Sequence, residues 1–522
     1  MSEKFSIPVG WALPCIGDVA TLLAGYGFPT EYQGRSNGEL PFFKVGDISE
    51  AWQRNERLLT SAKHYLTHDD AAQLRAKPLP KGSVVFAKIG AAISLNRRAI
   101  LSTPSLIDNN CIGLSANADV LDTDYLFYFT CTLRLGETSR ASVVPSLRKS
   151  DIDPIPLPLP PLGEQRRIVA KIEELFSDLD AGVAALKRAK ANLKRYRAAV
   201  LKAAVEGKLT EEWRAKHPAK EPASELLARI LKERRQKWES DQLAKFAATG
   251  KQPPKNWREK YVEPSPPETD GLPELPDDWC WASVEQLGNV QLGRQRSPKN
   301  RSDEFPTKYI RAANLTETGL DLTDVMDMEF QPKELETYRL HPGDILLSEA
   351  SGSPDQVGKP VVWKGEIEDC CFQNTVIRLR PMGISSEYTL TVFRHYYRSK
   401  LFAKVSAGVG INHLSAGKFS ALPFPLAPDV EQKQIVAEVE EQLSIIAVAE
   451  RQLESKLTRA ARLRQSILKR AFEGKLVPQD PSDEPASVLL ERLRASQKIH
   501  ERSGNRARLA TTHRSKSRGN KS

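Results

Sequence analysis

The chain has 522 residues, too many for one hydrophobic core, so three or four domains are expected. Charged residues make up 27% and apolar residues 40%, an ordinary globular mixture, and no run approaches the roughly 20 apolar residues of a membrane span. The net charge of +10 points only weakly to an anionic partner, because residues 495–522 alone hold eight Lys/Arg against one Glu.

The start, MSEKFSIPVGW, lacks the charged head and apolar core of a signal peptide. Cys15, Cys111, Cys131, Cys280, Cys370 and Cys371 form no CxxC pair. That argues against a disulfide framework or a zinc site, reads as core or near-core packing, and fits the reducing cytoplasm.

Residues 1–160 read as a first globular unit. It holds short β-branched runs such as SVVFAKI (83–89), punctuated by Gly and Pro, which predicts an α+β domain with a modest sheet. Arg97, Arg98, Arg148 and Lys149 sit among its turn residues. Arginine suits bidentate contacts to guanine, and both Arg and Lys suit phosphate, so these are expected DNA contacts; a solvated loop is the other reading of each. His64 and His68 lie near Asp69 and Asp70 but lack an evident third ligand, so no metal is expected. The unit ends in PIPLPLPPL (154–162), which stops regular structure and gives a stiff entry to the next segment.

Residues 161–245 read as helical. Ile168, Ile172, Leu175, Leu179, Leu186, Leu193 and Val200 fall on a heptad seam uninterrupted by proline. From Glu164 to Glu206 that helix is roughly 65 Å long. A linker rich in Pro, Lys and Glu follows over 246–272. The second globular unit, 273–428, again shows strand-like runs, DILLSEA (344–350) and NTVIRLR (374–380). Its loop GRQRSPKNR (293–301) supplies Arg294, Arg296, Lys299 and Arg301 as further expected DNA contacts. The second helical segment, 429–494, carries Ile435, Val439, Ile446, Leu453, Leu463 and Ile467 on its seam. The basic tail, 495–522, has almost no apolar residues and is expected to be disordered.

The chain also repeats itself. EQRRIVAKIEELFS (164–177) matches EQKQIVAEVEEQLS (431–444), and YRAAVLKAAVEGKL (196–209) matches LRQSILKRAFEGKL (463–476), both at an offset of 267. EPASELL (221–227) recurs as EPASVLL (484–490). The globular halves match in outline: GWALPCIGDVA (10–20) with DWCWASVEQLGNV (278–290), and LPKGSVVFAKIG (79–90) with LHPGDILLSEASG (340–352). Each long helix starts acidic and ends basic. Residues 164–180 hold five acids against three bases and 187–208 one acid against eight; residues 431–454 hold six against two and 456–475 one against seven. Laid antiparallel, each basic half meets the partner's acidic half. The helix dipole favours the same polarity but fades after one turn.

Catalytic motifs are missing. The stretch Gly352 to Lys359 has one residue too many for a phosphate loop and Pro360 where a Ser or Thr should follow. No dinucleotide fingerprint and no Asn/Asp-Pro-Pro-aromatic motif appears. A self-contained nuclease or methyltransferase, and a coiled-coil scaffold without sequence reading, remain the rival classes.

A globular unit, a Pro-rich exit, Glu-Gln opening an apolar helix, a Glu-Gly-Lys-Leu close, and then the same again: this order resembles the specificity subunits of type I restriction–modification enzymes. PLPPLGEQRRIV (158–169), AVEGKL (204–209), GLPELPDDWCWASVEQLG (271–288) and AFEGKL (471–476) carry the resemblance, over nearly all of the chain to about residue 494. The second exit departs from the first, with Asp429-Val430 in place of Leu162-Gly163. The resemblance implies two α+β target-recognition domains in tandem, separated by two long antiparallel helices that form an intramolecular coiled coil with pseudo-two-fold symmetry. It implies no catalysis and no cofactor in this chain. Each domain would read half of a bipartite, asymmetric site on double-stranded DNA. The helices would act as spacer and would dock two copies of a methyltransferase subunit carrying S-adenosylmethionine. A restriction/translocase subunit using ATP and magnesium would join them, with no membrane involved.

Overall fold

The computed structural model describes residues 7–138, 145–295, 305–351, 356–406, 412–496 and 498. Two compact units divide the chain: Met1–Leu186 with Ser455–Ser522, and Lys187–Glu454. Each unit combines one globular domain with the first part of one long helix and the last part of the other. Those helices run over Leu162–Val205 and Asp429–Phe472.

In the first unit the β-branched runs form a five-stranded sheet in the order Ala20–Ala24, Cys111–Ala116, Val84–Ala87, Arg98–Leu101, Leu58–Leu59. The Val84–Ala87 strand is buried throughout, because both faces of the sheet are covered. Side chains alternate across a strand. Val84 and Phe86 therefore join a core with Tyr125 and Phe129 of the helix Thr123–Thr132 and with Ile168, Ile172, Ile467 and Phe472 of the long helices. Val85 points the other way, into a smaller core with Ile48, Ala99 and Leu101.

The second unit repeats this scheme. Its four-stranded sheet runs Gly288–Leu292, Val376–Pro381, Ile345–Ser348, Pro360–Val362. Ile345, Leu347, Ile377 and Leu379 face a core with Tyr388 and Phe393 of the helix Ser386–Arg398 and with Val200, Leu201, Ile435 and Val439. Leu346 and Val376 face Trp363 and Phe372. The segment read as a linker is partly structured: the helix Ala223–Ala248 extends into it, and Trp257 stacks on Trp238 at 5.8 Å between ring centres.

Within each unit the two helices lie antiparallel. In the first, Arg464 pairs with Asp180 and lies over the Phe176 ring at 4.2 Å. In the second, Lys190 pairs with Glu454 at 2.5 Å, Arg197 with Glu450 at 2.7 Å, and the Tyr196 hydroxyl donates to Gln442 at 3.0 Å. Basic second halves thus meet acidic first halves, as the charge polarity requires. On the seam, Ile168, Ile172, Val200, Ile435, Val439, Ile446 and Ile467 are buried, and Leu175, Leu179, Leu186, Leu193 and Leu453 half-buried. Leu463 is a correction: it is 49% exposed. A 3.6-residue helix drifts from a 3.5 repeat, and here the facing position passes from the buried Ala460 to Arg464, whose guanidinium covers Phe176.

The shared motifs fasten each globular domain to its helix. Gln165 donates to the carbonyls of Val120 and Pro160, both at 2.9 Å, and accepts from the backbone N–H of Asp122 at 2.7 Å. Gln432 donates to the Ala427 carbonyl at 2.9 Å and accepts from the Ser385 N–H at 3.0 Å. Asp122 and Ser385 are the N-caps of the two domain helices, so each Glu-Gln sets where its domain helix begins. The Pro-rich exits are held the same way: Tyr125 donates to the Pro158 carbonyl and Tyr388 to the Pro425 carbonyl, each at 2.6 Å. The Glu-Gly-Lys-Leu closes are helix stops. Gly207 and Gly474 both have φ +69°, with 6→1 bonds from Lys208 to Ala203 and from Lys475 to Arg470.

Candidate nucleic-acid interface

In each domain one strand runs from the helix collar to the opposite end of the sheet. Cys111–Ala116 leads into Asn117 and Val120 at the Gln165 collar, and Val376–Pro381 leads towards Ser385 at the Gln432 collar. Six strand residues span about 17 Å. At the far end of each strand two loops meet.

In the first domain the Lys88 N–H donates to the Asn110 carbonyl at 2.8 Å. The Lys88 carbonyl accepts from the Leu147 N–H at 2.9 Å, Gly90 donates to Pro145 at 2.8 Å, and Ile89 bridges Ser146. In the second domain the Glu349 N–H donates to the Thr375 carbonyl at 2.8 Å, and the Glu349 carbonyl accepts from the Leu414 N–H at 2.9 Å. Ala350 pairs with His413 and Ser351 with Asn412. Leu147 and Leu414 are both buried and anchor the frame, and a short helix follows each, Lys149–Ile152 and Ala416–Ser420. One backbone frame is thus built twice, with different side chains on it: Lys88, Ser146, Arg148 and Lys149 in one, Glu349, His413, Ser415 and Ala416 in the other.

Of the residues expected to touch DNA, the frame carries Arg148 and Lys149, both exposed. The Arg148 backbone N–H is already engaged, donating to Asp151 at 2.8 Å, so its guanidinium is the group on offer. Arg97 is half-buried beside the frame. Two expectations are corrected. Arg98 is 1% exposed on a sheet strand, donating to the Arg97 carbonyl at 3.0 Å and to Asn96 at 2.7 Å and lying 4.5 Å above the Phe86 ring. Burial pulls the pKa of its guanidinium down to about 10. Arg294 is 8% exposed, bonded to Glu334 and to the Glu329 carbonyl, both at 2.8 Å, and set over Phe330. Both arginines are bonded within their own domain and closed off from a duplex. Arg296, Lys299 and Arg301 lie outside the described residues, as does nearly all of the basic tail.

Sequence reasoning did not single out Lys88, Glu349 and His413. The alignment of LPKGSVVFAKIG with LHPGDILLSEASG sets Lys88 opposite Glu349, so a comparison of the repeats position by position held the signal. The Glu349 carboxylate, 6% exposed, lies 2.7 Å from His413 Nε2. Burial raises its pKa, and the neighbouring His413 lowers it in part.

Among the described residues no group of three or more His, Cys, Asp or Glu could hold a metal ion, and no helix is long and apolar enough to cross a membrane.

Comparison with known proteins adds the context. The family model described as type I restriction modification DNA specificity domain matches residues 8–189. The StySPI type I restriction enzyme specificity subunit of Salmonella potsdam is 24% identical over 95% of this chain and 97% of its own length. The EcoKI specificity subunit of Escherichia coli strain K12 is 22% identical over 94% of this chain and 96% of its own. A solved structure described as showing complex assembly and conformational transition of the type I R-M system shares the fold. Its TM-score is 0.61 at 18% identity, covering 90% of this chain and all of that one.

Proposed function

We propose that the chain is a non-catalytic, DNA-sequence-recognising subunit of the type I restriction–modification kind, a reading supported by the specificity-domain match over residues 8–189 and by relatives that align with it end to end at 24% and 22% identity. Each globular domain reads one half of a bipartite, asymmetric duplex site through the loop frame at the sheet end away from its collar. The observation that carries this is the twofold use of one frame with unlike side chains: Lys88 and Ser146 in one domain, Glu349 and His413 in the other. Common anchoring with divergent tips is what two readers of different half-sites need, since specificity lies in side chains that meet base edges.

The subunit works together with DNA and other subunits. In our reading the paired helices, whose opening and closing motifs recur almost unchanged, dock two copies of a methyltransferase subunit. Those copies bring S-adenosylmethionine, and a restriction/translocase subunit brings ATP and magnesium chemistry; the assembly acts in the cytoplasm. The alternatives of a self-contained methyltransferase or nuclease, or a scaffold without sequence preference, make opposite predictions. The test is to incubate the purified chain with S-adenosylmethionine and duplex DNA, alone and with its modification subunit, and to map the methylated sites. Methylation only in the reconstituted complex, at a two-part sequence, is expected. Turnover by the chain alone, or methylation at no defined sequence, overturns the reading.

A further inference from the structure

We propose that His413, held by Glu349, is a specificity-determining residue of the second domain and meets a base edge in the major groove. The inference rests on reading the chain as a two-domain DNA reader and names a residue that does the reading.

Geometry supplies the first argument. His413 stands on the short strand Asn412–His413, which pairs with Ala350–Ser351 at the sheet end opposite the Gln432 collar. Its side chain is 56% exposed, although Glu349 is nearly sealed. The Glu349 carboxylate lies against Nε2, so the other ring nitrogen, Nδ1, is the one proposed to meet DNA. An imidazole ring nitrogen can accept from the amino group of adenine or cytosine when the ring is neutral, or donate to guanine when it is charged. Fixing the ring in advance lowers the ordering cost of meeting the base.

The second argument comes from the other repeat. The frame does not need an acid–imidazole pair in order to form. In the first domain the equivalent bond, Leu147 N–H to the Lys88 carbonyl, has the same 2.9 Å length as Leu414 N–H to the Glu349 carbonyl. There Lys88 and Ser146 stand where Glu349 and His413 stand here. A buried carboxylate is costly to keep and must hold a partner. Since the backbone pairing forms without it, positioning His413 is the role left to it. Glu349 is then a positioning residue, and His413 the one that touches DNA.

The experiment uses the complex reconstituted with its modification subunit and reads the methylated motif by sequencing. His413→Ala should reduce discrimination at one base pair of the second half-site roughly tenfold, the scale of one hydrogen-bonded base edge. The first half-site should stay unchanged. Glu349→Gln should weaken discrimination at that same base pair by less. Should either variant fold poorly, the double change Glu349→Lys with His413→Ser installs the pair that the first domain already carries on this frame. It should shift the preference at the same position. An unchanged motif and rate in His413→Ala or in the double variant overturns the inference. So does a reduction that is uniform over all sequences with a shallower salt dependence, because that marks binding to phosphate. If the unaltered complex reads no two-part motif at all, the fault lies with the underlying reading instead.

Discussion

Trp279, just before the strand Cys280–Ser283, donates its indole N–H to Glu431, 2.8 Å away and 152 residues on, and so ties the start of its domain to the first turn of the helix that follows. Trp11 and Glu164 repeat the bond at 3.0 Å. The two carboxylates then diverge. Glu431 also accepts from the Thr210 hydroxyl and from Arg214, both at 2.7 Å. The second oxygen of Glu164 is buried without a hydrogen-bond partner.

Glu431→Gln should therefore destabilise its unit by about 1.5–3 kcal/mol, the worth of hydrogen bonds to a charged group, while Glu164→Gln should cost well under about 1 kcal/mol. Denaturant unfolding of the two variants checks the contrast. Burial raises the pKa of Glu164 above its usual range, against the lowering effects of Trp11 and Arg167. The folded state then holds this proton more tightly than the unfolded state. Its contribution to stability falls as pH rises through the window from the unfolded value of about 4.3 to the raised folded value. Melting curves across that window should show a smaller decline in Glu164→Gln than in the unaltered chain.

The helix stops give a second prediction. A Cβ on Gly474 would lie 2.3 Å from Pro8 Cγ, and one on Gly207 would lie 2.5 Å from Pro276 Cγ, both at positive φ. Either Gly→Ala change should cost about 1–3 kcal/mol from the left-handed backbone alone, with the proline clash added. Calorimetry should show a lower Tm for each.

The corrected arginines give a third. Arg98 is buried with no ion pair among the described residues, so Arg98→Met should be close to neutral in stability and leave the methylated motif intact. Arg148→Ala and Lys149→Ala should weaken binding to all duplexes alike. For each DNA phosphate left without its cation, the slope of log affinity against log salt should fall by about 0.9. A changed motif in Arg98→Met would contradict its placement in the core.

The fourth concerns independence. Replacing residues 1–160 with the matching domain of a related protein should alter one half-site and keep the other, because each domain is fastened to its own helix by its own Glu-Gln. Sequencing of methylated sites decides it, and a change in both half-sites would contradict the collar geometry.

The sequence by itself determined the repeat, the helical seams, the polarity that favours antiparallel pairing, and the α+β character of the domains. Those features are periodic or recur at a fixed offset, so they show in one dimension. It also marked Glu-Gln and Glu-Gly-Lys-Leu as special without saying why. Only the tertiary structure decided that Gln165 and Gln432 reach back to helix caps, that the two glycines pack against prolines, and that Leu463 yields its place to Arg464. It alone separated Arg98 and Arg294, which are buried, from Arg148 and Lys149, which are exposed. An arginine in a polar run reads the same whether its guanidinium stacks on a buried ring or stands in water. Its fate depends on which strand is central and what covers it, and those neighbours come from tens of residues away: Cys131 close to Arg98, and Glu334 bonded to Arg294.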